Sequence, residues 1–175
     1  MIKELIQRWQ IRKLFSPYVS KETIDKIAFE GLGKKKMQKL TKSRLEFVLV
    51  ALRGDNAQRL SEQLGSITNL AVRHNGVVQS IISSLIVIVY GITDIPKETS
   101  ATRFTLLEAL TKQFGSEIKI VHGAETGYYG NIGGANLLSY GFIIPNFLEA
   151  LGQLSTISFG EVKEIGTSGL TSGSN

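Results

Sequence analysis

The chain has 175 residues, of which 42% are hydrophobic and none is cysteine, and its formal net charge is +5. This length suits one domain with a substantial core, and the lack of cysteine excludes disulfide scaffolds, thiolate metal sites and cysteine nucleophiles. With only two histidines, a histidine-based metal site is not expected. The longest apolar run, residues 85–90, is far shorter than the roughly 20 residues of a membrane-spanning helix. Because no signal-peptide pattern is present at the start, we expect a cytoplasmic protein without a membrane span.

The positive charge is concentrated in residues 1–45, which hold twelve Lys and Arg but only four Asp and Glu. A lysine cluster at 34–36, with Lys39, Lys42 and Arg44, has the charge to contact nucleic acid or anionic lipid. Because no aromatic residues are interleaved with these lysines, we favour a solvated connecting loop and expect no nucleic-acid partner.

Residues 2–14 carry apolar side chains near helical spacing among charged ones, which predicts an amphipathic helix. The next segment breaks at Pro17 and continues as a short helix capped by Ser20. The end of the chain is rich in Gly, Ser and Thr, which indicates a flexible tail. We therefore expect an N-terminal helix or linker at 1–15, one domain at 16–165 and a tail at 166–175.

The domain begins with an apolar strand at residues 45–52, followed by a helix at about 56–74 for which Asp55 is the predicted N-cap. Asn75 and Gly76 end that helix. Two strands, 77–82 and 84–90, flank Ser83-Ser84. The core-facing residues predicted for the first helix are Leu60, Leu64, Ile67 and Ala71.

The second half of the domain is predicted to contain a helix at 98–114, a strand at 117–123, a glycine-rich hairpin at 127–133 and a last helix to about 151 with Pro145 in its first turn. The helix at 98–114 presents Ala101, Phe104, Leu107, Leu110 and Phe114 to the core. The order strand, helix, two strands, helix, strand is the βαββαβ plan, so the predicted fold is α/β (α+β) and ferredoxin-like.

Five segments, in order, resemble the class III adenylate/guanylate cyclase catalytic domain over residues 15–165. They are "FSPYVSKETIDKI" at the entry to the domain, "VLVALRGDN" at the first strand and turn, "HNGVVQSIISSLIVIVYG" at the central hairpin, "GNIGG", and "SYGFIIPNFLEAL". The resemblance implies a nucleotide cyclase fold with two sites at a head-to-tail dimer interface.

In that family the 3′-hydroxyl of a nucleoside triphosphate attacks its own α-phosphate, with two Mg²⁺ or Mn²⁺ ions held by two aspartates. A lysine and a threonine or aspartate select the base, while an asparagine and an arginine steady the ribose and the transition state. The resemblance therefore identifies the positions at which each of these groups is expected.

Most of those positions are substituted in this sequence. The metal-binding aspartates correspond to Ala51 and Ser84, the base-selecting lysine to Ser80, and the transition-state arginine to Ala150. The remaining correspondences are Ser139 at the second base-selecting position, Asn146 at the asparagine, and Arg53 and Gly54 at the Arg-Gly turn; aligning on Gly141 instead would place Pro145 at the asparagine. Because alanine offers no ligand atom and serine only a neutral oxygen, we expect no metal cofactor and no catalytic residue.

Other residues were considered as replacements for the lost groups. Asp55, Asp94 and Glu125 are acids near loops, but none has a second carboxylate at the spacing of a shared two-metal site. A carboxylate at Asp55 would also repel phosphate at the helix start. Of Tyr128 and Tyr129, one is expected in the core and one on the surface. The two histidines, His74 and His122, are expected to be structural.

Five functions remain open from the sequence, of which the least favoured is a nucleic-acid-binding domain that uses the lysine cluster at 34–36. The preferred one is an inactive cyclase-like domain that acts as a dimerising signalling or regulatory module, as a homodimer or with a signalling partner protein. The alternatives are a nucleotide or small-molecule sensor that uses the vestigial groove, the non-catalytic half of a heterodimer with another cyclase-like domain, and an active cyclase with displaced ligands.

Overall fold

A computed structural model describes residues 40–54, 56–91, 99–134 and 137–166, and only the backbone of 99, 100 and 131–140. The N-terminal helices predicted at 2–14 and after Ser20, the lysine cluster at 34–36 and the tail from 167 onward lie outside the described residues.

The described chain forms one mixed sheet with three α-helices. In chain order the elements are β1 (Thr41–Leu52), α1 (Ala57–Arg73), β2 (Val77–Ile82), β3 (Leu85–Tyr90), α2 (Thr99–Phe114), a 3-10 turn (Gly115–Glu117), β4 (Ile118–Gly134), β5 (Leu137–Ile143), α3 (Phe147–Thr156) and β6 (Val162–Ile165).

The sheet has the strand order β2-β3-β1-β4-β5, with β1 between β3 and β4 and all of these pairs antiparallel. Its first four strands have the order of the ferredoxin-like plan, so the βαββαβ prediction is confirmed. The second edge of β4 is shared: its first part pairs with β6 in parallel and its last part pairs with β5.

Both faces of the sheet are covered because β1 is apolar on both sides. Alternate β1 residues Val48, Val50 and Leu52 pack against α1 and α2 in one buried cluster. The intervening residues, including Phe47 and Leu49, pack against α3 in a second cluster. We call these the α1/α2 face and the α3 face.

Helix α1 follows the predicted pattern except at its cap. Ile67 and Ala71 are buried, and Leu60 and Leu64 are partly buried against the same cluster. The N-cap is Asn56 rather than Asp55: Asn56 Oδ1 accepts hydrogen bonds from the backbone N–H groups of the second and third helical residues, at 2.9 and 3.2 Å. The prediction of Asp55 as the cap is therefore wrong by one residue, and Asp55 itself lies outside the described residues.

The predicted core stripe of α2 was partly wrong. Leu107 and Leu110 are buried as expected and Phe114 is partly buried, but Phe104 is 45% exposed and Ala101 is also exposed. Leu106 and Arg103 take the buried positions instead. The helix is rotated relative to the prediction because its first turns cover a buried carboxylate, which requires Arg103 to point inward.

The glycine-rich segment at 127–133 is not a hairpin but the second half of β4, and β5 was not predicted at all. Gly127 is needed inside the strand because a Cβ there would lie 2.5 Å from the carbonyl oxygen of Ile143. The expected split of the tyrosines is confirmed, since Tyr129 is 7% exposed and Tyr128 is 40% exposed.

The last helix also differs from the prediction. Pro145 precedes α3, which begins at Phe147 with Asn146 as its N-cap and continues to Thr156. The strand β6 was missed as well. No helix in the described ranges is both long and apolar enough to cross a bilayer.

Candidate functional site

Ala51 and Ser84, the two residues expected at the positions of metal-binding aspartates, come together where β1 ends beside the β2–β3 turn. Ala51 pairs with Leu85, the first residue of β3, and the backbone N–H of Leu52 donates to the carbonyl oxygen of Ser84 at 2.9 Å. Both Ala51 and Ser84 are partly buried. The hairpin thus places Ala51 and Ser84 next to each other, and neither residue has a carboxylate.

The turn itself keeps a backbone that favours glycine. Ser83 has φ of 55°, in the left-handed region that costs a non-glycine residue about 1 kcal/mol or more. The family motif has a glycine at this position, so the turn geometry fits the resemblance even though the residue differs.

Two basic residues, Lys119 and Arg53, lie at the same end of β1. Lys119 on β4 lies directly opposite Ala51, and its Nζ donates to the carbonyl oxygen of Ile157 at 3.3 Å. Both cations contact the ring of Phe159. Lys119 Nζ is 5.3 Å from the ring centroid, and the central carbon of the Arg53 guanidinium is 4.8 Å from it. The residue next to Arg53, Gly54, is exposed. The local charge is therefore positive where the family would hold two metal ions.

The donor set does not fit a two-metal site. Ala51 has no ligand atom, Ser84 has a neutral hydroxyl, and Lys119 brings a positive charge across the strand pair. Within the part of the chain that the structure describes, no three His, Asp or Glu side chains are grouped closely enough to hold a metal ion. Asp55 and Asp94, which we considered as replacement acids, lie outside that part.

Ser80, at the base-selecting lysine position, lines a groove on the α3 face. The groove has a volume of about 360 Å³ and lies between the β2–β3 edge and the chain that enters α3. Its other lining residues are uncharged: Gln79, Val87, Val89, Phe142, Ile143, Ile144 and Phe147. Such a groove has the volume of a small-ligand pocket but carries no charge to match a phosphate.

Asn146 is already engaged by a carboxylate. The Glu125 side chain accepts two hydrogen bonds from it, one from the backbone N–H at 3.0 Å and one from Nδ2 at 2.9 Å. The Asn146 amide is thus turned to β4 and makes no capping bond to its own helix. In the sequence Glu125 stands as a lone acid, because no sequence pattern links it to a residue 21 positions later.

The remaining predicted positions do not join the groove. Ala150 is on the fully buried side of α3, so it contributes to the core rather than to a site. The backbone of Ser139 pairs with Ile132, and the Ser139 side chain lies outside the described part. His74 caps the end of α1, with Nδ1 3.2 Å from Thr105 Oγ1, and His122 is buried on the α1/α2 face. Both histidines lie away from the groove.

Comparisons by sequence find no match: no family model matches the chain, and no curated protein matches it significantly. Comparison by structure does find similar proteins. The adenylyl cyclase CyaB from P. aeruginosa is 15% identical and has a TM-score of 0.55 over 71% of this chain and 77% of that chain.

Two fungal domains are similar to the same degree. The guanylate cyclase domain of RhGC from Catenaria anguillulae, solved in complex with GTP, has a TM-score of 0.56 at 11% identity over 70% of this chain and 78% of that one. A non-canonical dimeric guanylyl cyclase domain of the RhoGC fusion protein from the aquatic fungus Blastocladiella emersonii has a TM-score of 0.55 at 14% identity over 72% and 81%. At these identities the similarity concerns the fold, and it confirms the fold class that the motifs predicted: the chain has the fold of adenylyl and guanylyl cyclase catalytic domains.

Proposed function

We propose that this chain is a catalytically inactive cyclase-like domain that acts as a dimerising signalling or regulatory module. The observation that carries the proposal is the end of β1, where Ala51 and Ser84 stand together without a carboxylate. Two-metal phosphoryl chemistry needs anionic ligands that hold two divalent ions a few ångströms apart. The methyl group of Ala51 and the neutral hydroxyl of Ser84 cannot offset the repulsion between two divalent ions, and the lysine opposite adds to that repulsion.

The substitutions on the α3 face support the same conclusion. Ser80 replaces a cation with a hydroxyl, and Ala150 is buried where an arginine would have to reach a nucleotide. Asn146 is bonded to Glu125, which places a negative charge beside the position of the ribose-binding asparagine. Three separate parts of the site therefore disfavour a triphosphate.

A dimer is supported by large apolar residues that are exposed. Leu148 is 79% exposed and Ile82 is 63% exposed, and Ile81 and Ile143 are exposed by 39% and 43%. Leu148 follows Phe147, which lines the groove, and a large apolar side chain exposed at such a place favours a protein interface over open solvent. A related domain crystallised as a non-canonical dimer, which is consistent with association through such a surface.

A second candidate function, a small-molecule sensor, is favoured by the groove itself. Its volume of about 360 Å³ and its two polar residues, Gln79 and Ser80, are suited to an uncharged, largely apolar ligand. This function does not exclude dimerisation, because a ligand held near the rim would also contact a partner protomer.

The proposal is tested by titrating the protein with ATP and GTP in a calorimeter, each with and without Mn²⁺, beside an assay for cyclic product. We expect neither metal-dependent binding nor product, and a solution mass of a dimer. Metal-dependent binding with turnover would overturn the claim of inactivity. Metal-independent nucleotide binding without turnover would favour the sensor, and a monomer at high concentration would remove the support for a dimerising module.

A restoration experiment sharpens this test. The double variant Ala51→Asp with Ser84→Asp places carboxylates at both positions, and adding Lys119→Met removes the opposing charge. We expect Mn²⁺ to raise the melting temperature of the triple variant but not of the wild type. The matched control carries Ala51→Asn, Ser84→Asn and Lys119→Met, which has similar shape without the charge. An equal Mn²⁺ effect on the control and on the carboxylate variant would show that the positions do not form the metal site.

A further inference from the structure

A buried ionic group lies on the α1/α2 face, far from the groove. Glu46 on β1 and Arg103 on α2 have side chains only 3% and 4% exposed, and Arg103 Nε lies 3.2 Å from Glu46 Oε2. Burial, followed by the Glu46 charge, raises the pKa of the Tyr90 phenol, which faces the same group from β3. A charge pair this deeply buried is costly to separate.

The same arginine has a second carboxylate partner that reaches the surface. Arg103 Nη2 donates to Glu164 Oε1 on β6 at 3.4 Å, and the Glu164 side chain is 55% exposed. In the ladder between β4 and β6, Glu164 pairs with His122, whose Nδ1 is 3.8 Å from the same carboxylate oxygen. Arg103 thus forms ion pairs with two carboxylates, the buried Glu46 on β1 and the exposed Glu164 on β6.

Besides the ion pair of Glu164, the contacts that hold β6 are its backbone ladder, a hydrogen bond from Lys163 Nζ to Gln153 Oε1 on α3, and the packing of one apolar side chain. The strand pairs with β4 over four residues, and Val162, Lys163 and Glu164 are all exposed. Ile165 is the β6 residue that packs partly into the core of the α3 face. An edge strand this short depends strongly on its side-chain contacts.

We propose that Arg103 is a conformational latch: its ion pair with Glu164 holds β6 on β4, and breaking that pair releases β6 while the rest of the sheet stays folded. Release is feasible because Glu46 continues to neutralise Arg103, so no uncompensated charge is left in the interior. Release would also expose the backbone edge of β4 at residues 120–123. The latch is independent of the proposed function, since it does not involve the groove or the end of β1.

The test is hydrogen exchange of backbone amides in the full chain and in Glu164→Gln. We expect amides of β6 to exchange about five- to tenfold faster in the variant. This factor corresponds to the loss of one charged hydrogen bond of which one partner is exposed. Amides in β1 and β3 should keep their wild-type rates. Glu164→Lys, which places a cation beside Arg103, should increase the effect further.

The matched controls are Glu149→Gln and Glu149→Lys, which make the same charge changes at an exposed residue of α3. They should leave exchange in β6 unchanged. The latch would be refuted if β6 exchange in Glu164→Gln stayed at the wild-type rate, if the Glu149 variants had the same effect, or if β6 opened only together with β1 and β3.

Discussion

On the α1/α2 face of the sheet, two helices cover the central strands and enclose the charges of Glu46 and Arg103. On the α3 face, one helix covers the strands in part and leaves a groove of about 360 Å³ whose lining is uncharged. Most of the residues that correspond to catalytic positions of the cyclase fold are on or beside the second face. The difference between the faces is that the deeply buried ion pair lies on one of them, whereas the groove on the other has an uncharged lining.

The largest expected effect is on the buried charge pair. Arg103→Met removes the arginine from Glu46 and should lower the free energy of unfolding by about 3–5 kcal/mol, since a carboxylate then stays in the interior without that cation. Urea denaturation at pH 7 measures this. The control is Arg59→Met, which breaks an exposed pair with Glu117, at 57% and 31% exposure, and should cost less than about 1 kcal/mol. Equal losses in the two variants would contradict the expected difference between a buried and an exposed ion pair.

A smaller effect is expected from His122 on the same face. Burial, the Arg103 charge and, in the opposite direction, the Glu164 charge together hold the pKa of His122 below its ordinary value. The unfolded chain therefore binds the proton more readily, so stability should fall as the pH drops below about 6.5, by at most about 1.4 kcal/mol per pH unit. Chemical denaturation between pH 7 and 5 measures the slope.

His122→Gln should flatten this pH dependence, whereas His74→Gln, which removes the other histidine, should keep it. The assignment to His122 fails if both variants show the wild-type slope.

The smallest effect on stability is expected on the open face. Leu148→Glu places a charge at a residue that is 79% exposed and should change the free energy of unfolding by less than about 0.5 kcal/mol. If the surface around Leu148 is the dimer interface, the substitution should nevertheless convert the dimer to a monomer, as measured by light scattering. Tyr128→Glu, on the opposite side of the sheet, is the control and should remain dimeric. Dissociation of both variants alike would place the interface elsewhere.

Much of the fold could be predicted from periodic apolar patterns. The strands β1 to β3 and helix α1 were predicted within a few residues because their buried residues recur at strand or helix spacing. The glycines at 127–133 were misread as a turn, because glycine usually marks turns. In the structure, Gly127 instead allows two strands to approach closely, which depends on a carbonyl 16 residues away and has no local signal.

The contacts around the candidate site could not be predicted from the sequence, although the turn beside it could. The motif around Ser83 and Ser84 located the turn, and the structure places Ser84 beside the end of β1. The pairing of Lys119 with Ala51 and of Glu125 with Asn146 joins residues far apart in sequence, so periodicity could not reveal them. The rotation of α2 could not be predicted for a similar reason. An inward-pointing Arg103 is expected only once the buried carboxylate of Glu46 is known.

The position of β1 in the centre of the sheet has a consequence for folding. Thr41 pairs with Tyr129 and Leu52 with Ile118, so the longest ladder among the described strands joins segments that are synthesised far apart in time. Until β4 leaves the ribosome, β1 has only β3 as a partner, and one edge of a strongly apolar strand remains open. Such long-range pairing makes folding slow, and the nascent chain is exposed to aggregation through β1 during that interval.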